Sequence, residues 1–339
     1  MTDAVTIQSV PVSNLARDKL MLQVEGCGLV AEEMLAKRYS IQSLLGRGGF
    51  GVTFLARNIR LPGQPFCVVK KFAPIFTDPK LVAIARDQFE LESLMLSQLG
   101  SHAQVPTLLD YFQIDQNYYL VEEYISGTVL SQLVTHQQQL TETVVEKFLI
   151  QMLQLLVYIH SHHLIHRDIK PQNIILCQTD RRYVLVDFGA VKDLAPIASP
   201  NKQAEDSTAV GTPGFAPPEQ LANYPVYASD IYALGMTCIY LLTGKAPSEF
   251  STDPHTCELM WAGDLDISIG LLEIINKMTQ MPLVDRYQSA TQVLTALDNR
   301  SIRAKLRAYM DQKHAVAKGE SSSSLVYYPA VVHWALGIE

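Results

Sequence analysis

Asp168 lies in a run whose residue types could carry out a group transfer: His166-Arg167-Asp168-Ile169-Lys170-Pro171-Gln172-Asn173. An Asp can accept a hydroxyl proton, a Lys can neutralise a phosphate, and an Asn can ligate a hard cation through its carbonyl oxygen. Further on, Val184-Leu185-Val186 reads as a short strand that ends in Asp187-Phe188-Gly189. Asp187 offers a second oxygen ligand, and two such ligands plus nucleotide phosphates are the usual way Mg²⁺ is held.

Two earlier stretches fit phosphate chemistry. Gly46-Arg47-Gly48-Gly49-Phe50-Gly51 sits between strand-like runs, and glycines let a hairpin backbone approach phosphates closely. Alone, this G-x-G-x-x-G spacing is equally a flexible turn. Here a strand follows it, which argues against a dinucleotide fold, where a helix would follow. Lys70 ends Cys67-Val68-Val69, and a lysine on an interior strand needs an anionic partner. Glu92 in Phe89-x-x-Glu92-x-x-Met95-Leu96 is the best candidate, with Glu90 as the alternative acid and Lys71 as the alternative cation. Strand parity alone does not choose between the two lysines; the bland alternative is a set of solvated surface charges.

These residues must be held by something, and the chain is long enough to do it. At 339 residues it is two domains or one two-lobed unit at roughly 150 residues each. Apolar residues are 48% and charged residues 18%, which supplies a core and excludes a mainly disordered chain. The net charge of −7 gives no electrostatic reason to expect nonspecific nucleic-acid binding. Five cysteines, Cys27, Cys67, Cys177, Cys238 and Cys257, contain no C-x-x-C pair, which argues against a disulfide framework or a zinc ribbon. No basic start with an apolar block opens the chain, and stretches such as Ile231 to Leu242 are too short to span a bilayer. The expectation is a cytoplasmic protein without a membrane span.

Short β-rich runs separated by Gly and by Pro62-Gly63 predict antiparallel strands from Tyr39 to Lys70. Helical spacing over 80–99 predicts a helix, Tyr118 to Tyr124 a strand, and Thr143 to His160, Ala228 to Leu242, Ile269 to Met278 and Ala290 to Leu297 further helices. Leu29 to Arg38 could form a short helix. A small β-rich part followed by a larger helical part is an α+β pattern with a cleft between them.

The motifs stand in the order and spacing of the protein kinase signature set, and residues 39–299 resemble eukaryotic-like bacterial Ser/Thr kinases, cyanobacterial ones in particular. The resemblance implies an N-lobe over about 39–121, a hinge over 122–127 and a C-lobe over 128–299. Residues 1–38 would form an N-terminal extension and residues 300–339 a C-terminal tail. It implies γ-phosphoryl transfer from ATP to Ser/Thr hydroxyls of proteins, this one included, with Mg²⁺ or in its place Mn²⁺. By resemblance Gly46, Gly48 and Gly51 cover the phosphates, and Lys70 pairs with them and with Glu92. Glu123 and Ile125 supply hinge contacts to adenine. Asp168 orients and deprotonates the acceptor, Lys170 steadies the phosphoryl group, and Asn173 and Asp187 hold the metal. Gly211 to Gln220 is similar to the end of an activation segment, Arg286 to the arginine that pairs with Glu219, and Asp230 to the buried acid under the catalytic loop. Lys170 and Thr212 favour Ser/Thr over Tyr. Arg167 resembles the arginine that binds an activation-loop phosphate, here on Thr208 or, second, on Ser207.

Three positions depart from the pattern: Pro217 replaces the usual Ala, Thr53 a Val over the adenine, and Glu122 occupies the gatekeeper position, where a carboxylate must be either solvated or paired, with Lys70 as the candidate partner. The alternative to catalysis is a pseudokinase or scaffold on the same fold, which needs the loss of a chemical group; Lys70, Asp168, Asn173 and Asp187 are all present. His160, His162, His163 and His166 cluster without an adjacent carboxylate, which favours capping and packing over a metal site. The tail aromatics Tyr327, Tyr328 and Trp334 pack back or bind a partner, and Arg300 to Lys318 reads as a solvated helix face. The oligomeric state is not legible.

Kinases that prefer Arg three residues before the acceptor hold it with two carboxylates, at the positions of Val129 and Gln172 here. A desolvated arginine would find no opposite charge at either. A positional-scanning peptide array is therefore expected to show no dominant Arg signal at that position; a dominant one would mean another acid has taken the role.

Overall fold

A computed structural model describes residues 34–300 except 49–50, 76, 116, 138, 194–210, 255–258 and 264. The fold is α+β in two lobes. The smaller lobe is a six-stranded antiparallel sheet with one long helix. Its strands are β1 (Met34–Leu35), β2 (Tyr39–Arg47), β3 (Gly51–Asn58), β4 (Phe66–Phe72), β5 (Leu108–Ile114) and β6 (Asn117–Glu123), in the spatial order β1-β2-β3-β4-β6-β5. The stretch expected to end a short helix, Met34 to Arg38, instead makes a tight hairpin: Ala36 and Lys37 take positive φ, and Met34 and Leu35 pair with Ser40 and Tyr39. Leu29 to Glu33 lie outside the described residues.

Strand alternation gives β4 two different faces. Cys67, Val69 and Lys71 are buried on one, in a cluster with Tyr39, Ile41, Phe54, Tyr119 and Val121. Val68, Lys70 and Phe72 lie on the other, which receives helix α1 (Pro79–Leu99). α1 begins where Asp78 accepts a hydrogen bond from the Lys80 N–H at 2.8 Å and Pro79 presets the first turn. Its inward stripe is Ala85, Phe89, Glu92, Met95, Leu96 and Leu99. Phe89 packs on Phe72 at 5.6 Å and on Tyr111 at 6.3 Å between ring centroids, and Phe72 meets Tyr118 edge-on at 6.4 Å. These aromatic contacts press α1 onto the sheet beside Lys70.

The larger lobe begins with β7 (Gly127–Val129), α2 (Leu130–Gln137) and α3 (Glu142–Ser161). Short strands β8 (Leu164–Ile165), β9 (Ile174–Cys177), β10 (Tyr183–Leu185) and β11 (Lys192–Asp193) follow, then α4 (Pro218–Leu221), α5 (Tyr227–Thr243), α6 (Ile269–Met278) and α7 over 290–300. β9 lies between β7 and β10, and β8 pairs with β11. Among the described residues α3 alone is long and apolar enough to cross a bilayer. Phe148, Leu149, Met152, Leu156 and Ile159 are fully buried against the rest of the lobe, so α3 is a core helix. α5 is buried on nearly every side, as an all-round apolar helix must be.

The segment expected to close on α5 is anchored by charge. Glu219 Oε1 lies 2.6 Å from Arg286 Nη1 and accepts from Ser229 Oγ at 2.9 Å. Arg286 is 2% exposed and also donates to the carbonyls of Gln280 and Ala228. Beyond the expected end of the patterned region, Arg300 bonds Glu142 at 2.7 Å and approaches Glu146 at 3.3 Å, so it is paired with α3 and not a solvated charge. The remainder of the tail, with Tyr327, Tyr328 and Trp334, lies outside the described residues. Removing one partner of a buried ion pair strands the other charge, so Glu219→Ala is expected to cost about 3 kcal/mol. The check is a lower urea midpoint at an unchanged slope.

Candidate active site

The sheet and α1 bring three charged side chains together at the cleft. Lys70 Nζ lies 2.5 Å from Glu92 Oε1 and 3.2 Å from Glu122 Oε1. Strand parity, which could not choose a lysine by itself, is settled by what covers each face. Lys70 faces α1, whereas Lys71 lies in the opposite cluster with its ammonium 6.0 Å from the Tyr119 ring centre. Glu92, not Glu90, is the acid that α1 turns inward; Glu90 is exposed and sits near Arg86. Glu122, which the sequence left between solvation and pairing with Lys70, is paired with Lys70.

Burial shapes the ionisation of this trio. It would lower Lys70, but the carboxylates of Glu122, Glu92 and Asp187 hold the lysine well above its ordinary value. Burial pushes Glu92 up to about 7 against the pull of Lys70, and raises Glu122 in the same way.

Across the cleft, the stretch between β8 and β9 carries Asp168, Lys170 and Asn173, and Thr212 and Asp187 reach the site from later segments. Thr212 Oγ1 donates to Asp168 Oδ1 at 2.8 Å and accepts from Lys170 Nζ at 2.8 Å, while Lys170 Nζ is also 2.8 Å from Asp168 Oδ2. Asn173 Nδ2 donates to Asp168 Oδ2 at 2.8 Å and to the Asp168 carbonyl at 2.9 Å. The amide thereby fixes Asp168 and turns its own carbonyl oxygen the other way. Asp187 sits at φ 67 with Oδ1 accepting from the Gly189 N–H at 3.4 Å. A side chain on Gly189 would start 3.3 Å from Glu92 Oε2, so this turn lies directly under α1.

The loop is held from below. Asp230, in the first turn of α5, accepts the His166 N–H and the Arg167 N–H, each at 2.9 Å, and its Oδ2 is 3.0 Å from His160 Nε2. Arg167 has φ 66, a conformation a non-glycine residue keeps only when its surroundings impose it. The two bonds to Asp230 impose it, together with Gln220 Nε2 donating to the Arg167 carbonyl at 2.6 Å. His166 is fully buried, which lowers its pKa and keeps the ring neutral, and it meets Phe188 edge-on at 4.9 Å. His166 thus packs within the lobe, and His160 has a carboxylate partner that its sequence neighbourhood did not reveal. Among the described residues no group of three or more His, Cys, Asp or Glu side chains is placed to hold a metal.

The other expected residues fall as follows. Gly46 and Gly51 lie in the paired arms of the β2–β3 hairpin and Gly48 N–H bonds the Gly51 carbonyl at 2.9 Å; Gly49 and Phe50 lie outside the described residues. A Cβ on Gly51 would lie 2.2 Å from the Lys71 carbonyl oxygen, so close approach to β4 requires glycine there. Glu123 ends β6 with its N–H on the Thr107 carbonyl, and its carboxylate accepts from Thr107 Oγ1 at 3.0 Å. Ile125 is buried with Val129, Ile175, Val184 and Val186. Val129, one of the two neutral positions on the expected substrate path, is thus packed away. The Arg167 guanidinium bonds the carbonyls of Ala190 and Val191. Thr208 and Ser207 lie outside the described residues.

The sequence matches the protein kinase domain over residues 39–297. The chain belongs to the protein kinase family. Serine/threonine-protein kinase B of a Synechocystis species is 49% identical over 265 residues, covering 77% of this chain and 46% of the relative. Serine/threonine-protein kinase PknA of a Nostoc species is 42% identical over 269 residues, covering 78% and 48%. This kinase chain spans about half the length of these relatives.

Protein kinases act on ATP with a divalent cation, and two side chains here have the chemistry to hold the cation. Asp187 and Asn173 offer hard oxygen donors, and a single carboxylate plus an amide suits a cation that completes its shell with phosphate oxygens.

Asp230 is the support whose loss should be felt at a distance. Asp230→Asn keeps the volume but removes the charge that orders the His166 and Arg167 N–H groups. It is expected to lower kcat about 10- to 100-fold, since a misplaced group of about 1 Å costs that much. Burial would raise the Asp230 carboxyl, but His160 and the loop N–H groups hold it below its usual range. A depressed folded value means the stabilisation is present above the unfolded value of about 3.9 and is lost as pH falls through the folded one. The stability gap between wild type and Asp230→Asn should therefore be full at neutral pH and close in acid, as measured by denaturation across pH.

Proposed function

We propose that this chain is an ATP-dependent serine/threonine protein kinase that transfers the γ-phosphoryl of ATP to Ser/Thr hydroxyls of proteins, including its own. The observation that carries the reading is the Thr212 hydroxyl seated between Asp168 Oδ1 and Lys170 Nζ, each at 2.8 Å. A threonine-type hydroxyl is thus accommodated against the acid and the cation together. In this reading Asp168 receives the acceptor hydroxyl proton, with Asn173 and Lys170 fixing its other oxygen. Lys170 offsets charge on the transferred group, and Lys70 holds the α/β-phosphates. Glu123 and Ile125 give backbone contacts to adenine, and Gly46, Gly48 and Gly51 cover the phosphates. Asp187 and Asn173 would hold Mg²⁺, or Mn²⁺ in its place, and the bound cation neutralises phosphate charge. The domain runs over about 39–299, flanked by an extension and a tail, and its partners are protein substrates. Arg167, together with phosphate on Thr208 or secondly Ser207, orders the activation segment.

Electrostatic positioning is most of phosphoryl-transfer catalysis, so Lys70→Met, Asp168→Ala and Asp187→Ala should each lose orders of magnitude in rate. The measurement is incorporation from radiolabelled ATP into the protein and a generic acceptor, with Mg²⁺ and with Mn²⁺, followed by mass-spectrometric mapping. Label on Ser/Thr, with Thr208 first, is the expected result. Activity in Lys70→Met with loss in Lys71→Met would overturn the lysine assignment, and phosphate-dependent activation that survives Thr208→Ala with Ser207→Ala would overturn the phosphosite.

A further inference from the structure

Lys70 is held by two acids that come from different kinds of structure. Glu92 is carried by α1, which meets the sheet through side chains and not through a backbone ladder. Glu122 is carried by β6, the strand hydrogen-bonded to β4. Lys70 stands opposite Leu120, and Glu122 opposite Val68, so Lys70 and Glu122 are diagonal neighbours on one face of the ladder. That diagonal is fixed by the sheet and does not change if α1 moves. The Glu122 carboxylate also has unused capacity: its Oε1 is 3.2 Å from Lys70 Nζ, while its Oε2 is buried without a hydrogen-bond partner. Carboxylate oxygens accept several bonds and an ammonium donates three, so the pair can tighten when another partner leaves.

We propose that Glu122 is a positioning residue that shares Lys70 with Glu92 and keeps the lysine oriented when Glu92 is absent or withdrawn. The charged and titratable groups facing the site are Lys70 on β4, Glu92 on α1, Glu122 on β6 and Asp187 beyond β10. One lysine does not balance two buried carboxylates and the half-buried Asp187 beside them. Withdrawal of Glu92 removes one of the competing acids and leaves Lys70 with a full counter-charge. In a site with Glu92 alone, the same withdrawal would strand the lysine.

This inference rests on the kinase reading of Lys70, and the test separates the two. Phosphoryl transfer and affinity for a fluorescent ADP analogue are measured for wild type, Glu92→Gln, Glu122→Gln, the double variant and Lys70→Met. Glu92→Gln is expected to keep kcat/KM within about tenfold of wild type, and the double variant to fall to the level of Lys70→Met, well beyond the product of the single losses. Glu122→Asp in the Glu92→Gln background should retain more activity than Glu122→Gln there, because it keeps a carboxylate; a packing role would rank Gln above Asp, since Gln keeps the volume. If Glu122→Gln does not fold, Glu122→Met gives the same comparison. Glu92→Gln as inactive as Lys70→Met, a double variant equal to the product of the singles, or Gln ranking above Asp would each overturn the proposal. A wild type that binds the nucleotide and transfers nothing would overturn the kinase reading, while the same cycle read as nucleotide affinity would still decide this one.

Discussion

A carboxylate with no exposure to solvent, Asp230, is the contact on which the catalytic loop depends. It satisfies two backbone N–H groups that no strand or helix serves, and it is hydrogen-bonded in turn by those N–H groups and by His160. A buried charge is tolerated only when it is paired and hydrogen-bonded, so α5, α3 and the loop must assemble together for any one of them to be stable. The left-handed Arg167 follows from that assembly, and the position of Asp168 follows from Arg167. The apolar surroundings of α5 strengthen each of these bonds by lowering the local dielectric.

The smaller lobe solves the same problem with a different geometry. Its buried charge is a lysine on a strand, and the compensating acids arrive from a neighbouring strand and from a helix pressed on by aromatic rings. Packing therefore controls electrostatics here: Phe72, Phe89 and Tyr111 decide whether Glu92 reaches Lys70. The Asp187 turn lies against the same glutamate, through Gly189. The two lobes thus meet through a short chain of contacts that runs from the sheet to the catalytic loop.

The outer parts of the larger lobe keep the platform rigid. Glu219 and Arg286 tie the segment after Thr212 to α5 and to the loop before α7. Thr212 bonds Asp168 directly, so the anchor and the chemistry lie on one continuous stretch of chain. Gln220, next to Glu219, reaches back to the Arg167 carbonyl and closes the circuit.

Much of this was legible in the sequence, for physical reasons. Helical periodicity marked α1, α3, α5 and α6 because each buries an apolar face, and the spaced glycines and Pro62-Gly63 marked the hairpins because only such residues suit those turns. The identities of Lys70, Asp168, Lys170, Asn173, Asp187 and Thr212 fixed the chemistry on offer. The two-residue strands β1, β8 and β11 were not legible because pairs this brief carry no periodicity, and the seven-residue β5 was not legible because a register shift interrupts its ladder. The choice of Lys70 over Lys71 depended on which face of β4 the helix covers, and parity is blind to that. The pairing of Glu122 with Lys70, of His160 with Asp230 and of Arg300 with Glu142 joins residues 52, 70 and 158 positions apart. Local sequence sets what each side chain can do. Only the folded chain sets which buried charges share a space, because that depends on long-range packing and not on spacing along the chain.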